Sequence, residues 1–206
     1  MASTASPYGL RAVNELGGLP YAGSTRSFLI DPAGYNTNIF NGSIVAINTS
    51  GYINIVTTNG DNSTPFPAGT IGVFVGCSFV NAQGQTMYSQ YYPANTASVN
   101  GSAITAYVID DDRAVFQVQA NGSMAQTTLG MNVILSAVQS TSTGSTTTGN
   151  STTAVSTSAA ATSGYAFRVV GFADVPGFSA VGDAFTDILV KFNPGAHSYS
   201  NATGVA

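Results

Sequence analysis

Ten short runs rich in Val, Ile, Phe and Tyr recur along the chain, separated by clusters of Gly, Asn, Pro or Ser. The runs are TRSFLI, SIVAI, YINIVTT, IGVFVGCSFV, TMYSQYY, AITAYVI, AVFQVQ, NVILSAV, YAFRVVGF and FTDILVKF. Runs of this length, punctuated by turn-forming residues, are typical of β-strands. Because 23 glycines and 8 prolines interrupt the chain, long helices are not expected. The sequence therefore predicts an all-β fold, an antiparallel β-barrel or sandwich.

Individual runs carry further detail. The alternation in AVFQVQ places Phe116 and Val118 on one face. The other face carries Gln117 and Gln119, which predicts a strand with one wet or interfacial side. The run IGVFVG is apolar on both faces, as expected of a central strand. Cys77, the single cysteine, follows in the same run and is expected to be a buried, inert thiol.

Two short stretches make local predictions. The segment Thr49-Ser50-Gly51 separates SIVAI from YINIV and favours a hairpin turn between two strands. The stretch RAVNELGGL is the best helix candidate, but it is only one or two turns long and contains two consecutive glycines.

Two regions differ from the rest of the chain. Residues 1–34 contain Pro7, Pro20 and Pro32 together with paired glycines, and we expect an extended N-terminal arm there. Residues 35–206 form the predicted β-rich core domain, with a Ser/Thr-rich loop at about 139–164. This loop has almost no large apolar side chain to offset its ordering entropy. We expect it to be a long surface loop, or a strap that orders against a partner.

The charge content limits the partners. Only 7% of the 206 residues are charged, so Ser, Thr, Asn and Gly must cover the surface, which suits a protein packed against neighbours. The net charge is -4 and the five Lys and Arg residues are scattered, which argues against nucleic-acid binding. Each apolar stretch is shorter than the roughly 18 residues that a membrane helix needs. We expect neither nucleic acid nor membrane as a partner.

Few side chains are available for catalysis or metal binding. One histidine and one cysteine are too few for a structural zinc site, which normally takes four such ligands. A catalytic triad could use only His197, whose position in NPGAHSYSN favours a local hydrogen bond instead. Asp187 and Lys191 lie four residues apart on a predicted strand, which suggests an ion pair along one face. The sequence predicts no enzyme, no catalytic residue, no cofactor and no metal site.

Three consecutive aspartates, Asp110, Asp111 and Asp112, separate AITAYVI from AVFQVQ. On an extended chain they would point to alternate faces, so they cannot converge on one ion there, and their spacing differs from that of calcium loops. Aspartate side chains accept hydrogen bonds from backbone N–H groups two residues on, which favours a turn in which Arg113 partly offsets the charge. An intersubunit ion pair, a weak cation site and catalysis are the alternatives.

Five segments occur in an order that resembles a known family. They are SPYGLRAV, IFNGSIVAINTSGYINIV, GTIGVFVGCSFVNAQGQTMYSQYYPA, AYVIDDDRAVFQVQANG and VGDAFTDILVKFNPGAHSY. In this order the chain resembles the head decoration, or cement, proteins of tailed bacteriophages, including phages of marine bacteria and cyanobacteria. The resemblance covers most of the chain except the Ser/Thr-rich loop.

This resemblance implies a β-rich subunit that is made in the host cytoplasm and docks on the outer surface of the expanded capsid. Its partners would be the major capsid protein and other copies of itself, as a homotrimer or a dimer, since closed oligomers suit threefold or quasi-threefold capsid sites. The arm commonly latches neighbouring subunits in such proteins. The candidates for capsid or subunit contact are Pro7, Tyr8, Gly9, Leu10 and Arg11 in the arm, and Asp111, Asp112 and Arg113 in the turn.

Other functions fit the same composition less well. A carbohydrate-binding β-sandwich or tail-fibre-like module could use some of the ten tyrosines, although the chain has no tryptophan. A glycan-cleaving enzyme needs two facing carboxylates, and the sequence offers only isolated ones. A major capsid protein needs a long helix and more length than this chain has.

Overall fold

The computed structural model of the chain describes residues 4–174 and 178–205. The strands are β1 (Arg11–Glu15), β2 (Arg26–Ile30), β3 (Ile44–Ile47), β4 (Ile53–Ile55), β5 (Thr70–Val80), β6 (Thr86–Ser89), β7 (Ile104–Ile109), β8 (Ala114–Gln119), β9 (Asn132–Val133), β10 (Phe167–Phe172) and β11 (Asp187–Phe192). Two short 3-10 helices span Gln126–Thr128 and Ser198–Ser200. The ten apolar runs correspond, in order, to β2 through β11.

The strands form two antiparallel sheets that pack as a sandwich. The five-stranded sheet has the order β1-β8-β11-β10-β9. The six-stranded sheet has the order β2-β7-β5-β3-β4, and β6 pairs with the far end of β5. The predicted turn at Thr49–Gly51 is confirmed, because β3 and β4 pair as neighbours and Gly51 has a φ of 81°. The prediction of an all-β antiparallel fold is confirmed, in its sandwich form.

The first hydrophobic core lies between the sheets. Four phenylalanines of this core contact one another. The ring centroids of Phe167 and Phe192 are 4.8 Å apart. The ring of Phe66 lies 5.6 Å from that of Phe167, and the ring of Phe116 lies 5.8 Å from that of Phe192. Aromatic pairs at these separations add about 0.5–1.5 kcal/mol beyond their buried area. This core holds the two sheets together.

A second core covers the opposite face of the six-stranded sheet. Ile44 belongs to the first core and its neighbour Val45 to the second, as the alternation of side chains along a strand requires. Tyr92 and Ile39 complete the second core from loops outside the sheet. Both faces of β5 are therefore buried, as its apolar sequence predicted. Cys77 is 1% exposed and burial raises its pKa to about 12, which confirms the buried thiol.

The N-terminal segment is paired with both sheets. β1 pairs with β8 at the edge of one sheet, and β2 pairs with β7 at the edge of the other. The helix interpretation of RAVNELGGL is wrong, because Arg11–Glu15 is a strand whose backbone groups bond to β8. Residues 1–3 of the predicted arm lie outside the described residues. The segment therefore contributes an edge strand to each sheet.

The Ser/Thr-rich segment 139–164 packs against its own chain. Gln139 is 2% exposed; it accepts a hydrogen bond from the Ile44 amide at 2.9 Å and donates to the carbonyls of Ile44 and Val56 at 3.1 and 3.0 Å. Val155 is fully buried in the first core and bridges Ala120 and Leu135. Buried polar groups of this kind are stable because they are hydrogen-bonded. Of the two expectations, a long surface loop or a strap ordered by a partner, neither describes the segment fully, because its own sandwich supplies the partners that order it.

Candidate functional site

β1 separates the two groups of predicted contact residues. In the pairing of β1 with β8, Arg11 lies opposite Gln117 and Glu15 lies opposite Ala114. A five-residue strand extends over about 17 Å. We call the end that carries Pro7–Arg11 the arm end and the end that carries Asp111–Arg113 the turn end. The structure therefore keeps the two groups apart.

The three-aspartate segment is a turn that links β7 in one sheet to β8 in the other. The Asp111 carboxylate accepts a hydrogen bond from the Arg113 amide at 2.8 Å, and the Asp111 carbonyl accepts one from the Ala114 amide at 3.2 Å. This is the side-chain-to-backbone contact that favours Asp in turns. The turn prediction is confirmed. Asp111 and Asp112 are half-buried and Arg113 is exposed.

The first of the three aspartates has a role that the sequence did not indicate. Asp110 is buried, and its carboxylate lies 2.8 Å from the Arg26 guanidinium. The same carboxylate oxygen accepts a hydrogen bond from the Tyr199 hydroxyl at 2.8 Å. Within residues 4–174 and 178–205 this is the one ion pair. It connects β2, the end of β7 and the C-terminal segment at the turn end.

Two leucines protrude beside this turn. Leu16 is 44% exposed and Leu19 is 66% exposed. The backbone holds them in place, because the Leu16 amide donates to the Arg113 carbonyl at 2.8 Å and the Glu15 amide donates to the Leu19 carbonyl at 2.7 Å. The sequence pattern did not indicate this apolar pair, although Gly17 and Gly18 between the two leucines mark a tight turn.

At the arm end, two contact candidates lie inside the fold. Leu10 is 1% exposed, and its amide donates to the Gly42 carbonyl at 3.0 Å. Gly9 has a φ of 76°, and a Cβ added there would lie 2.8 Å from both the Gly42 oxygen and the Ser151 Cβ. Only glycine fits such a crossing of two backbones. Gly9 and Leu10 therefore join the N-terminal segment to the sandwich.

The side chains that remain accessible at the arm end are linked to β11. The Tyr8 hydroxyl donates to the Asp187 carboxylate at 3.2 Å, and the Arg11 guanidinium carbon lies 5.0 Å from the centre of the Tyr8 ring. Burial raises the pKa of both Tyr8 and Asp187. The predicted ion pair of Asp187 with Lys191 is wrong, since the Lys191 ammonium instead lies 3.5 Å from the Asp112 carbonyl.

A cavity of about 560 Å³ lies between the N-terminal segment, β8 and the Ser/Thr-rich segment. We call it the arm pocket, and its lining residues are Ser6, Pro7, Tyr8, Arg11, Gln117, Ser145, Thr148, Asn150, Ser151 and Thr152. The glutamine face of β8, expected to be wet or interfacial, lies under this segment. There, Gln119 accepts a hydrogen bond from the Ser6 amide at 2.8 Å.

His197 lies at the turn end, where its ring packs 5.5 Å from that of Phe192. Its Nδ1 accepts a hydrogen bond from the Tyr199 amide at 3.3 Å, which confirms the expected local contact. Burial lowers the pKa of His197, so the ring is neutral at pH 7. In the described part of the chain, no group of three or more His, Cys, Asp or Glu side chains is arranged to hold a metal ion.

Comparison of the chain with protein-family models, curated proteins and solved structures found no match. Across the described residues, no helix is both long and apolar enough to span a bilayer.

Proposed function

We propose that this chain is a structural protein of a tailed-phage virion, a decoration protein that binds the outer surface of the expanded head. It would reinforce the contacts between major capsid proteins. The order of the five family-like segments supports this proposal, and so does a surface with few charges.

The observation that carries the proposal is the exposed apolar pair at the turn end. Leu16 and Leu19 protrude beside the exposed Arg113 and the half-buried Asp111 and Asp112. Protein interfaces combine an apolar centre, which supplies most of the binding energy, with a polar or charged rim. A surface of this kind suits a protein partner such as the major capsid protein.

A homotrimer would multiply this contact. Each subunit presents one turn end, and three turn ends on one trimer would meet equivalent capsid subunits around a threefold or quasi-threefold axis. Binding of the second and third contacts is then intramolecular, so the trimer binds much more tightly than one subunit. Weak single contacts are therefore sufficient for retention on the head.

The test is binding of the purified chain to expanded heads assembled without it. We expect saturable binding at a copy number set by the capsid symmetry, together with a higher temperature of head rupture. The solution mass of the protein, measured by light scattering, gives the oligomer size independently. Absence of saturable binding to expanded heads would refute the proposal, and a monomeric mass would refute the trimer alone.

A further inference from the structure

We propose that the arm pocket binds an acidic saccharide, a sugar unit that carries a carboxylate such as a hexuronic acid. This inference does not rest on the decoration function, because a saccharide site at the arm end would be separate from the docking surface at the turn end. The cavity volume of about 560 Å³ lies within the range of roughly 300–1,000 Å³ for small-molecule sites.

Arg11 gives the arm pocket a positive charge, which favours a ligand with a negative charge. It is the one charged residue that lines the arm pocket, and its side chain is exposed. Within residues 4–174 and 178–205 its guanidinium forms no hydrogen bond or ion pair; its contact there is with the ring of Tyr8, 5.0 Å away. A guanidinium presents its N–H donors in a planar fork that matches a carboxylate. Arg11 is therefore available to bind one.

The remaining lining suits hydroxyl groups. Seven of the ten lining residues are Ser, Thr, Asn or Gln, whose side chains both donate and accept hydrogen bonds. The Asn150 side-chain carbonyl accepts a hydrogen bond from the Gln90 side chain at 2.7 Å, and this contact fixes the orientation of the Asn150 amide. The NH₂ group of Asn150 has no hydrogen-bond acceptor among the described residues and is free to donate to a ligand. This mixture of donors and acceptors matches a sugar ring, because each sugar hydroxyl can also both donate and accept a hydrogen bond.

The pocket walls are held in place before any ligand binds. The Asn41 amide donates to the Gly149 carbonyl at 2.9 Å and the Ser151 amide donates to the Asn41 carbonyl at 2.8 Å, so the Ser/Thr-rich wall is joined to the residues before β3. On the other wall, the Tyr8 hydroxyl is fixed by Asp187. A site that is already ordered loses less entropy on binding.

Other ligand classes fit this lining less well. The lining contains no carboxylate, which a calcium site needs, and its single cation is too few for a polyphosphate. The lining includes no aliphatic side chain larger than that of Pro7, and a purely hydrophobic ligand would leave the polar groups of the other lining residues without partners. A carboxylated sugar uses both the cation and the hydroxyl groups.

The first test compares methyl β-glucuronide with methyl β-glucoside, which differ only in the carboxylate, by titration of the full chain followed by NMR. We expect saturable shifts at the arm pocket with the glucuronide and clearly weaker binding of the glucoside. Arg11→Gln should lower glucuronide affinity about tenfold to a hundredfold, as loss of a charged hydrogen bond predicts, and reduce the preference of the site for the glucuronide over the glucoside. Equal affinities of the two sugars, or no saturable shift with either, would overturn the proposal.

A second pair of variants locates the site. Thr148 lines the arm pocket and Thr147 does not, although both side chains are exposed. Thr148→Trp should fill the pocket and abolish glucuronide binding, whereas Thr147→Trp should leave binding intact. Thermal unfolding of both variants establishes that they are folded. Glucuronide binding that survives in folded Thr148→Trp would show that the sugar binds elsewhere and would contradict the assignment.

Discussion

The leucines at the two ends of β1 differ in burial. At the arm end, Leu10 is 1% exposed and belongs to the core between the sheets, whereas at the turn end Leu19 is 66% exposed. The arm end joins the N-terminal segment to the sandwich, and the turn end presents apolar surface to solvent. Exposed leucines near one end of β1 are therefore available to a partner, whereas the leucine near the other end stabilises the fold.

The largest expected difference between the ends is in stability. Leu10→Ala should lower the free energy of unfolding by about 2–5 kcal/mol, because it leaves a cavity in the core. Leu19→Ala should change it by less than about 0.5 kcal/mol, since that residue is 66% exposed. Urea unfolding of both variants measures this contrast. Similar losses in the two variants would contradict the division of the molecule into these two ends.

Glycine substitutions sharpen the same comparison. Gly9→Ala should lower the free energy of unfolding by about 2–3 kcal/mol, because its positive φ and the contacts at 2.8 Å both oppose a Cβ. Gly17 has a φ of 119°, but no atom lies within 4 Å of an added Cβ. Gly17→Ala should therefore cost only about 1 kcal/mol of backbone strain. Thermal unfolding of the pair measures the difference, and an equal loss would argue against the close crossing at Gly9.

The ion pair at the turn end should contribute a smaller amount. Asp110→Asn should lower the free energy of unfolding by about 1–2 kcal/mol, because the buried carboxylate serves both Arg26 and Tyr199. Asp112→Asn is the matched control, since Asp112 is half-buried and no ion pair involves it in the described residues. Chemical denaturation of the two variants tests the assignment. A control that is as destabilised as Asp110→Asn would remove the special role of Asp110.

The two ends should also respond to acid in opposite directions. Burial lowers the pKa of His197, so stability at the turn end falls as the pH drops below about 6.5, where the unfolded chain takes up the proton first. Burial raises the pKa of Asp187, so stability at the arm end rises as the pH falls through the folded-state pKa of that carboxyl.

Single variants separate these two effects. In a series of unfolding free energies against pH, His197→Gln should remove the loss near pH 6.5, and Asp187→Asn should remove the gain at lower pH. The expected changes are the smallest of the series. A pH profile that neither variant alters would show that burial does not control these two groups.

Much of the fold could be predicted from the sequence, because β2 through β11 each carry an apolar run bounded by turn residues. β1 was missed since Arg11–Glu15 alternates weakly and is stabilised by pairing with β8 rather than by its own burial. The order of the Ser/Thr-rich segment could not be predicted, because the segment has few large apolar side chains. Its order comes from long-range hydrogen bonds, such as those of Gln139, that no local pattern shows.

The candidate sites could be predicted only in part. The turn at Asp111 follows from local side-chain chemistry, and the sequence identified it. The contacts of Asp110 with Arg26 and Tyr199 join residues 84 and 89 positions apart, which a single sequence does not reveal. The arm pocket likewise requires the meeting of three distant segments.

The positions of β1 and Leu10 in the sandwich determine which variants can test docking. Deletion of residues 1–20 would remove β1 and Leu10, so the loss of capsid binding that it caused would reflect a damaged sandwich. Point substitutions of exposed leucines avoid this difficulty. Leu29 and Leu129 are 49% and 47% exposed, and they belong to β2 and to the residues after the first 3-10 helix rather than to the turns at Leu16–Leu19 and Asp111–Arg113, so they provide a control of similar exposure for Leu16 and Leu19.

The most direct measurement is the affinity of two double variants for expanded heads assembled without the protein. The variant Leu16→Ser with Leu19→Ser should bind at least about tenfold more weakly than the unmodified chain, because it removes the apolar centre of the docking surface. The variant Leu29→Ser with Leu129→Ser should bind as the unmodified chain does. Equal affinities of both double variants and the unmodified chain would contradict the assignment of the turn end as the surface that binds the capsid.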